Sequence, residues 1–444
     1  MTIISVVGPK GGIGKTTLSI NTTAALTRRV ASRPARQGVG LIDLDLRLPT
    51  ISSILDSHPK KTFYDLFETL DNKSYQVEFL RTVYMILSRF GQYLAGDIQA
   101  DDKKLTKILF KYQNLNYELF RYEDFPFGDA LHELFMERVN VRTVNQIKIL
   151  EPILNKFDLK KFRSLIRDSE NNSWPVLEEY INFIEEYGFS FLGGEVPILG
   201  KRLHRKRINQ PEFLLLFLKV LEGVVKKFDY VVLDTPAGGV NHLSSLMNII
   251  DQVLFIFDLS NTIAVNGSID ALHSFIDYYE DFQKDAMRGT LTGLDKEYVD
   301  RVIRERGKNA VYESMKNKKL GILFNRCQDS DAIKKALGQL REYLDTLDKY
   351  QQYKNRIHIV GMVPNHKIIN ITNNRCALFY DMDMALTARM DQIAESIVSD
   401  NQSCPTLGDS DKEIIRYLNS TERPKIIKKL SQIAGNLRAA SNFS

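Results

Sequence analysis

The stretch Gly8-Pro9-Lys10-Gly11-Gly12-Ile13-Gly14-Lys15-Thr16-Thr17 decides how the chain is read. It follows a short apolar run, Ile3 to Val7, and opens a helical pattern through Ala24, Ala25 and Leu26. Strand, glycine-rich loop and helix in this order are the context of a phosphate-binding loop. The glycines let backbone N–H groups turn inward toward phosphate oxygens, and the new helix adds its positive end to the same place. In such a loop Lys15 reaches the terminal phosphates and the Thr16 hydroxyl ligates Mg²⁺. The usual wording G-x-x-x-x-G-K-[ST] places its first glycine at position 9, which is Pro here. A second lysine, Lys10, stands near the loop's start.

Working outward, the next buried strand is Val39-Gly40-Leu41-Ile42, running into Asp43-Leu44-Asp45-Leu46-Arg47-Leu48-Pro49-Thr50. Two carboxylates therefore sit at a strand's C-terminal end, where ligands of open α/β sheets bind. Tyr230-Val231-Val232-Leu233-Asp234-Thr235-Pro236-Ala237-Gly238-Gly239 repeats the theme, an apolar strand that ends in a carboxylate. Val253–Phe257, Leu320–Phe324 and Ile357–Pro364 supply three more apolar strands, and Phe189–Leu192 another. The expectation is an α/β fold, a doubly wound and mostly parallel sheet with the ligand at its C-terminal edge.

The loop wording x-K-G-G-x-G-K-T-T resembles the deviant Walker A motif of the ParA/MinD family of P-loop ATPases. D-x-D-x-R-x-P at 43–49 resembles the first switch of the MinD-like branch, and D-x-P-A-G from Asp234 resembles the Walker B motif and second switch. The resemblance covers about residues 1–56 and 188–400. It implies ATP and Mg²⁺ as ligands, an ATP hydrolase activity and an ATP-dependent homodimer. Gly11, Gly12, Ile13, Gly14, Lys15, Thr16 and Thr17 would hold the phosphates. Lys10 would cross to the partner's phosphates, and Asp45 would position the attacking water. Thr16, Asp43 and Asp234 would serve the metal. Asn325 with Arg326, at a strand end, and the Pro364 turn would hold the adenine. Asn374-Arg375-Cys376-Ala377-Leu378 resembles the segment that follows, with Cys376 at its common glycine.

Residues 57–187 depart from the family's rhythm and read as a mainly helical insertion, leaving 1–56 and 188–444 as the ATPase domain. Val77, Leu80, Tyr84 and Leu87 fall at helical spacing, as do Leu177, Tyr180, Ile181 and Ile184. A helical, charged stretch from Ile269 to about Lys318 reads as a second, smaller projection. Lys201-Arg202-Leu203-His204-Arg205-Lys206-Arg207 is the densest basic cluster, either a solvated loop or a phosphate contact with nucleic acid or anionic lipid. Ile426, Leu430, Ile433 and Leu437 lie on one helical face flanked by Lys425, Lys428, Lys429 and Arg438. That helix either docks on its own domain or lies in a membrane surface.

The totals bound the rest. The chain has 444 residues, 43% apolar and 26% charged, with a net charge of +5, values ordinary for a globular protein with a sizeable core. Cys327, Cys376 and Cys404 show neither metal spacing nor a disulfide framework, so a reducing cytoplasm is expected. The chain starts directly in a strand, without signal-peptide features, and no apolar run approaches the length of about 18 residues needed to span a bilayer. The functional expectation is a dimerising switch ATPase that positions or partitions a cargo, plasmid or chromosome DNA or a protein complex, through non-specific DNA binding, together with an activating partner protein. The alternative is a MinD-like ATPase on the membrane surface. A metal-cluster carrier would need a C-x-x-C that is absent, and a related tyrosine kinase would end in a tyrosine cluster.

Overall fold

The computed structural model describes residues 2–31, 38–45, 50–57, 61–115, 127–171, 177–193, 223–224, 227–236, 250–293, 318–369, 378–399 and 403–420, with 295–296, 299–300, 303 and 401. The chain divides into two compact units, Met1–Asp65 with Leu177–Ser444, and Leu66–Val176.

The first unit is built on one sheet. Its strands are β1 (Thr2–Val7), β2 (Val39–Asp43), β3 (Asn182–Ile184), β4 (Phe189–Leu192), β5 (Tyr230–Asp234), β6 (Gln252–Asp258), β7 (Lys319–Cys327) and β8 (Ile357–Pro364). Their order is β3-β4-β2-β5-β1-β6-β7-β8. All neighbours pair in parallel except β3, which runs antiparallel to β4 at one edge. β2 and β5 are buried along their whole length, and so is β6, as parallel strands covered on both faces must be. The fold is therefore a doubly wound α/β sheet.

From β1 the chain winds first toward β2 on one side. After β5 it crosses to β6, β7 and β8 on the other. The loop after β1 thus lies at the point where the winding reverses, the crevice in which open α/β sheets hold ligands. Helix α1 (Lys15–Ala31) follows that loop. It is unusually polar for a buried helix, and its side chains are satisfied locally. The Thr23 hydroxyl donates to the Ser19 carbonyl at 2.8 Å, and Asn21 Nδ2 to the Thr17 carbonyl at 2.7 Å. Asn21 Oδ1 in turn accepts the N–H of Tyr380 at 3.0 Å, which ties the segment 378–382 to α1.

The second unit carries α3 (Phe63–Leu94, of which Leu66 onward belongs here), α4 (Lys103–Asn114), α5 (Gly128–Met136), α6 (Glu151–Leu154) and α7 (Leu159–Asn171), while α2 (Ile51–Ile54) belongs to the first. Leu80 and Leu87 are buried as the helical stripe requires, beside Phe90, Leu105, Tyr112, Leu134 and Phe162. The rings of Phe127, Phe157 and Phe162 pack tilted or edge-on, with centroids 5.5–6.0 Å apart. This unit thus has its own apolar core.

Two sequence expectations need correction. Leu177, Tyr180, Ile181 and Ile184 form no helix. Leu177–Glu179 is a single 3₁₀ turn, and Asn182–Ile184 is strand β3. A hairpin explains this: Gly188, at φ +70°, closes the turn into β4 with its N–H on the Ile184 carbonyl at 2.8 Å. Helix α8 (Thr262–Arg288) also starts earlier than expected, and beyond it the described residues 293, 295–296, 299–300 and 303 are helical again. Asn261 caps its start by accepting the Ala264 N–H, and Gly289, left-handed at φ 69°, ends it. Residues 304–317 lie outside the described residues, as do the basic cluster 201–207, the last helix 424–438 and segment 374–377. Further helices are α9 (Ser330–Thr346), α10 (Tyr350–Tyr353), α11 (Met384–Val398) and α12 (Asp411–Asn419). No helix among the described residues is long and apolar enough to cross a membrane.

At the far end of the sheet from the loop, Lys318 is buried with its ammonium on the Ile250 carbonyl and Asp251 nearby. Burial pushes this ammonium down to about 7, against the pull of Asp251. Burial likewise pushes the Asp251 carboxyl up. The Lys318 value lies below that of an unfolded lysine, about 10.4, so the unfolded chain binds the extra proton between the two. Stability from this group therefore rises with pH from about 7 toward 10. Lys318→Met is expected to flatten that rise. Urea midpoints at pH 7 and pH 9 check it, and equal pH slopes in variant and wild type would contradict it.

Candidate nucleotide site

The loop between β1 and α1 is shaped by close packing. A Cβ on Gly8 would fall 2.0 Å from Ile13 Cδ1, so the chain can bury Ile13 only against a glycine. Gly12 and Gly14 take φ of 76° and 90°, conformations that side chains resist. Asn325 Nδ2 donates to the Ile13 carbonyl at 2.7 Å. Arg326 donates to the Gly12 carbonyl and, at 3.2 Å, to Asp258 Oδ2. Peptide units are planar and trans, so the N–H groups of Ile13 and Gly14 point opposite to these anchored carbonyls. Fixed N–H groups beside the start of α1 make an anion cradle.

Lys15 follows, buried, with Nζ donating to the Lys10 carbonyl at 2.9 Å across the loop's mouth. Burial lowers its pKa, while Asp234 and Asp45 pull the other way. A phosphate beside this ammonium would restore its preference for the charged form. The Lys10 side chain is exposed. Thr17 is buried in the first turn of α1.

Beneath the cradle, β2 and β5 pair so that Asp43 stands opposite Asp234. Their exposures are 0% and 1%, which puts two carboxylates side by side in a dry place. Asp234 Oδ2 accepts the Thr16 hydroxyl at 2.8 Å and Oδ1 the Ser19 hydroxyl at 2.9 Å. Asp43 Oδ1 accepts the N–H of Asp45 at 3.0 Å, and its Oδ2 has no hydrogen-bond partner among the described residues. Burial raises the Asp43 pKa well above the usual carboxylate value, and Asp234 adds to the effect. Burial also raises Asp234, to about 6, against the Thr16 and Ser19 hydrogen bonds and the pull of Lys15.

A hard dication fits this place. It would meet an orphaned carboxylate oxygen and the Thr16 hydroxyl, and would relieve two buried like charges. Among the described residues no cluster of three or more His, Cys, Asp or Glu side chains forms a metal cage. That suits Mg²⁺, which takes few protein ligands and keeps waters and phosphate oxygens.

A recess opens beside the loop between the ends of β7 and β8. Gly14, Thr17, Leu18, Asn325, Arg326, Pro364, Asn365, His366 and Phe379 are among its lining residues. Its mixed polar and apolar lining suits a nucleobase. The Asn325 amide is oriented by its bond to Ile13, which leaves Oδ1 as the acceptor to face a base amino group. Arg326 itself is in the left-handed region, φ 53°, where β7 and β8 shift register.

The structure therefore brings Gly11 to Thr17, Asp43, Asp45 and Asp234 to one end of the sheet, with Asn325, Arg326 and Pro364 beside them. Ala237, Gly238 and Gly239 lie outside the described residues, as do Arg47 and Pro49. Sequence reading missed Ser19, Asp258 and His366. Ser19 carries a signal, since it lies one helical turn beyond Thr16 and on the same face. Asp258 ends an apolar strand in the manner of Asp43 and Asp234.

No protein-family model matches the chain, and no curated protein matches it. Solved structures do. MinD of Aquifex aeolicus is 14% identical, covers 90% of this chain and 97% of its own, and superposes with a TM-score of 0.38. The cell division ATPase MinD of Pyrococcus furiosus is 15% identical over 90% and 98%, TM-score 0.40. A ParA family ATPase of Chlorobium tepidum is 11% identical over 89% and 98%, TM-score 0.39. The chain is similar to these proteins, and the chemistry of its site rests on the distances above.

Gly14 offers a direct check. A Cβ there would lie 2.6 Å from Asn325 Nδ2, on a backbone at φ +90°. Gly14→Ala is expected to displace the Asn325 amide and strain the loop by about 1–3 kcal/mol, lowering adenine-nucleotide affinity at least about tenfold. Fluorescence titration with a labelled ADP measures it, and wild-type affinity in the variant would contradict the geometry.

Proposed function

We propose that this chain is a Mg²⁺-dependent ATP hydrolase that works as a dimerising switch. ATP joins two copies face to face, hydrolysis releases them, and the cycle positions or partitions a cargo such as plasmid or chromosome DNA or a protein complex. The observation that carries the reading is the convergence at one loop. Two carbonyls are anchored outward, Lys15 spans the mouth, and Thr16 rests on Asp234, one of a buried pair of carboxylates.

Each residue then has a task that its position supports. Ile13 and Gly14 turn N–H groups to the phosphates. Lys15 exchanges the Lys10 carbonyl for the terminal phosphate oxygens. Thr16, Asp43 and Asp234 hold Mg²⁺, which supplies charge neutralisation when bound. Asp45, whose backbone is fixed by Asp43, holds the attacking water in line with the bond to the leaving ADP oxygen. Asn325 accepts from the adenine amino group, with Arg326 and Pro364 at the rim of the same recess. Lys10 is exposed while Lys15 already serves the nucleotide of its own copy, so its charge suits a phosphate brought by a facing copy.

The surface on which the dimer acts is assigned to non-specific DNA through Lys201, Arg202, Arg205, Lys206 and Arg207, with an activating partner protein. Those residues lie outside the described ones, and so does the helix on which the membrane alternative depends.

Sedimentation with ATP and Mg²⁺ separates the two roles at the loop. Asp45→Ala is expected to bind ATP, accumulate as a dimer and hydrolyse at least about 100-fold more slowly. Lys10→Ala is expected to bind ATP and stay monomeric. Wild-type turnover by the first variant would remove the water-positioning role. Dimers of the second, in wild-type proportion, would remove the sandwich.

A further inference from the structure

Thr50 stands immediately before α2, at the position where a threonine usually turns its hydroxyl back to accept an N–H of the first helical turn. It does not do so here. Its backbone sits at φ −109° and ψ −17°, and its side chain makes no capping bond. The hydroxyl instead lies 3.5 Å from the hydroxyl of Thr16, a residue 34 positions earlier in the chain. Thr16 is the loop hydroxyl that rests on Asp234.

This placement is held by the chain around it. Ile51 and Ser52 are buried directly after Thr50. The Thr50 carbonyl accepts the Ile54 N–H at 3.0 Å, and the Ile51 carbonyl the Leu55 N–H at 2.9 Å. The Asp43 carboxylate, at the end of β2, receives the N–H of Asp45 at 3.0 Å. Thr50 itself is exposed. Two neighbouring oxygen ligands at about 2.1 Å from an octahedral Mg²⁺ are about 3 Å apart. The two hydroxyls need to close by only about half an ångström to match that spacing.

We propose that Thr50 is a further metal ligand: its hydroxyl joins that of Thr16 on the nucleotide's Mg²⁺. The contact would tie the start of α2 to the site only when metal and nucleotide are both bound. This inference rests on the Mg²⁺–ATP reading given above.

Calorimetric affinity for a slowly hydrolysed ATP analogue, measured with Mg²⁺ and again with EDTA, tests it. Wild type is expected to bind more tightly with Mg²⁺. Thr50→Val is expected to keep its affinity in EDTA and lose at least about tenfold of the Mg²⁺-dependent gain, while Thr50→Ser keeps the gain. An unchanged gain in Thr50→Val overturns the proposal, and so does an equal loss with and without Mg²⁺, which marks a structural role. A wild type that binds the analogue equally with Mg²⁺ and EDTA overturns the metal reading itself, and this proposal with it.

Discussion

Two carboxylates buried side by side are the constraint on which the site depends. The parallel register of β2 and β5 sets Asp43 opposite Asp234, and both are sealed from water. Burying a carboxylate costs free energy unless it is hydrogen-bonded or meets positive charge, and a second one beside it adds repulsion. Thr16 and Ser19 therefore converge on Asp234, the Asp45 N–H on Asp43, and Lys15 lies close enough to pull on Asp234. The arrangement is costly without a cation and favourable with one, which is how a fold tunes a site to a charged ligand.

The second element is the outward anchoring of the loop. Arg326 holds a left-handed backbone, which costs a side-chain-bearing residue about 1–2 kcal/mol. Its guanidinium meets that cost by bridging Asp258 on β6 and the Gly12 carbonyl. With Asn325 on the Ile13 carbonyl, the ends of β6 and β7 fix the loop with its carbonyls outward. Preorganised N–H groups bind charge without having to reorganise at the moment of binding.

Much of this was legible in the chain because the signals are local. A loop of glycines and lysines between an apolar run and a helix, and apolar strands ending in Asp43 and Asp234, announce themselves within ten residues. The parallel sheet followed from the unbroken apolar runs. What was not legible depends on contacts distant in sequence. Leu177 to Ile184 satisfy helical spacing, yet the turn at Gly188 folds Asn182–Ile184 onto β4 as an edge strand, leaving Leu177–Glu179 as a 3₁₀ turn. The role of Thr50 depends on a residue 34 positions away, and that of Arg326 on one 314 away. His366 lines the recess only because β8 ends beside β7. No pattern in the sequence marks these meetings.

The central claim is that the loop from Gly8 to Thr17 holds the phosphates of a nucleotide, with Lys15 as their cation. Equilibrium binding of Mg²⁺–ATP to wild type and to Lys15→Ala tests it most directly. A charge-assisted contact of about 1.5–3 kcal/mol corresponds to a loss of about 10- to 100-fold in affinity. That loss, in a variant that unfolds at the wild-type urea midpoint or above, is the predicted result. Equal affinity in the two proteins would contradict the account.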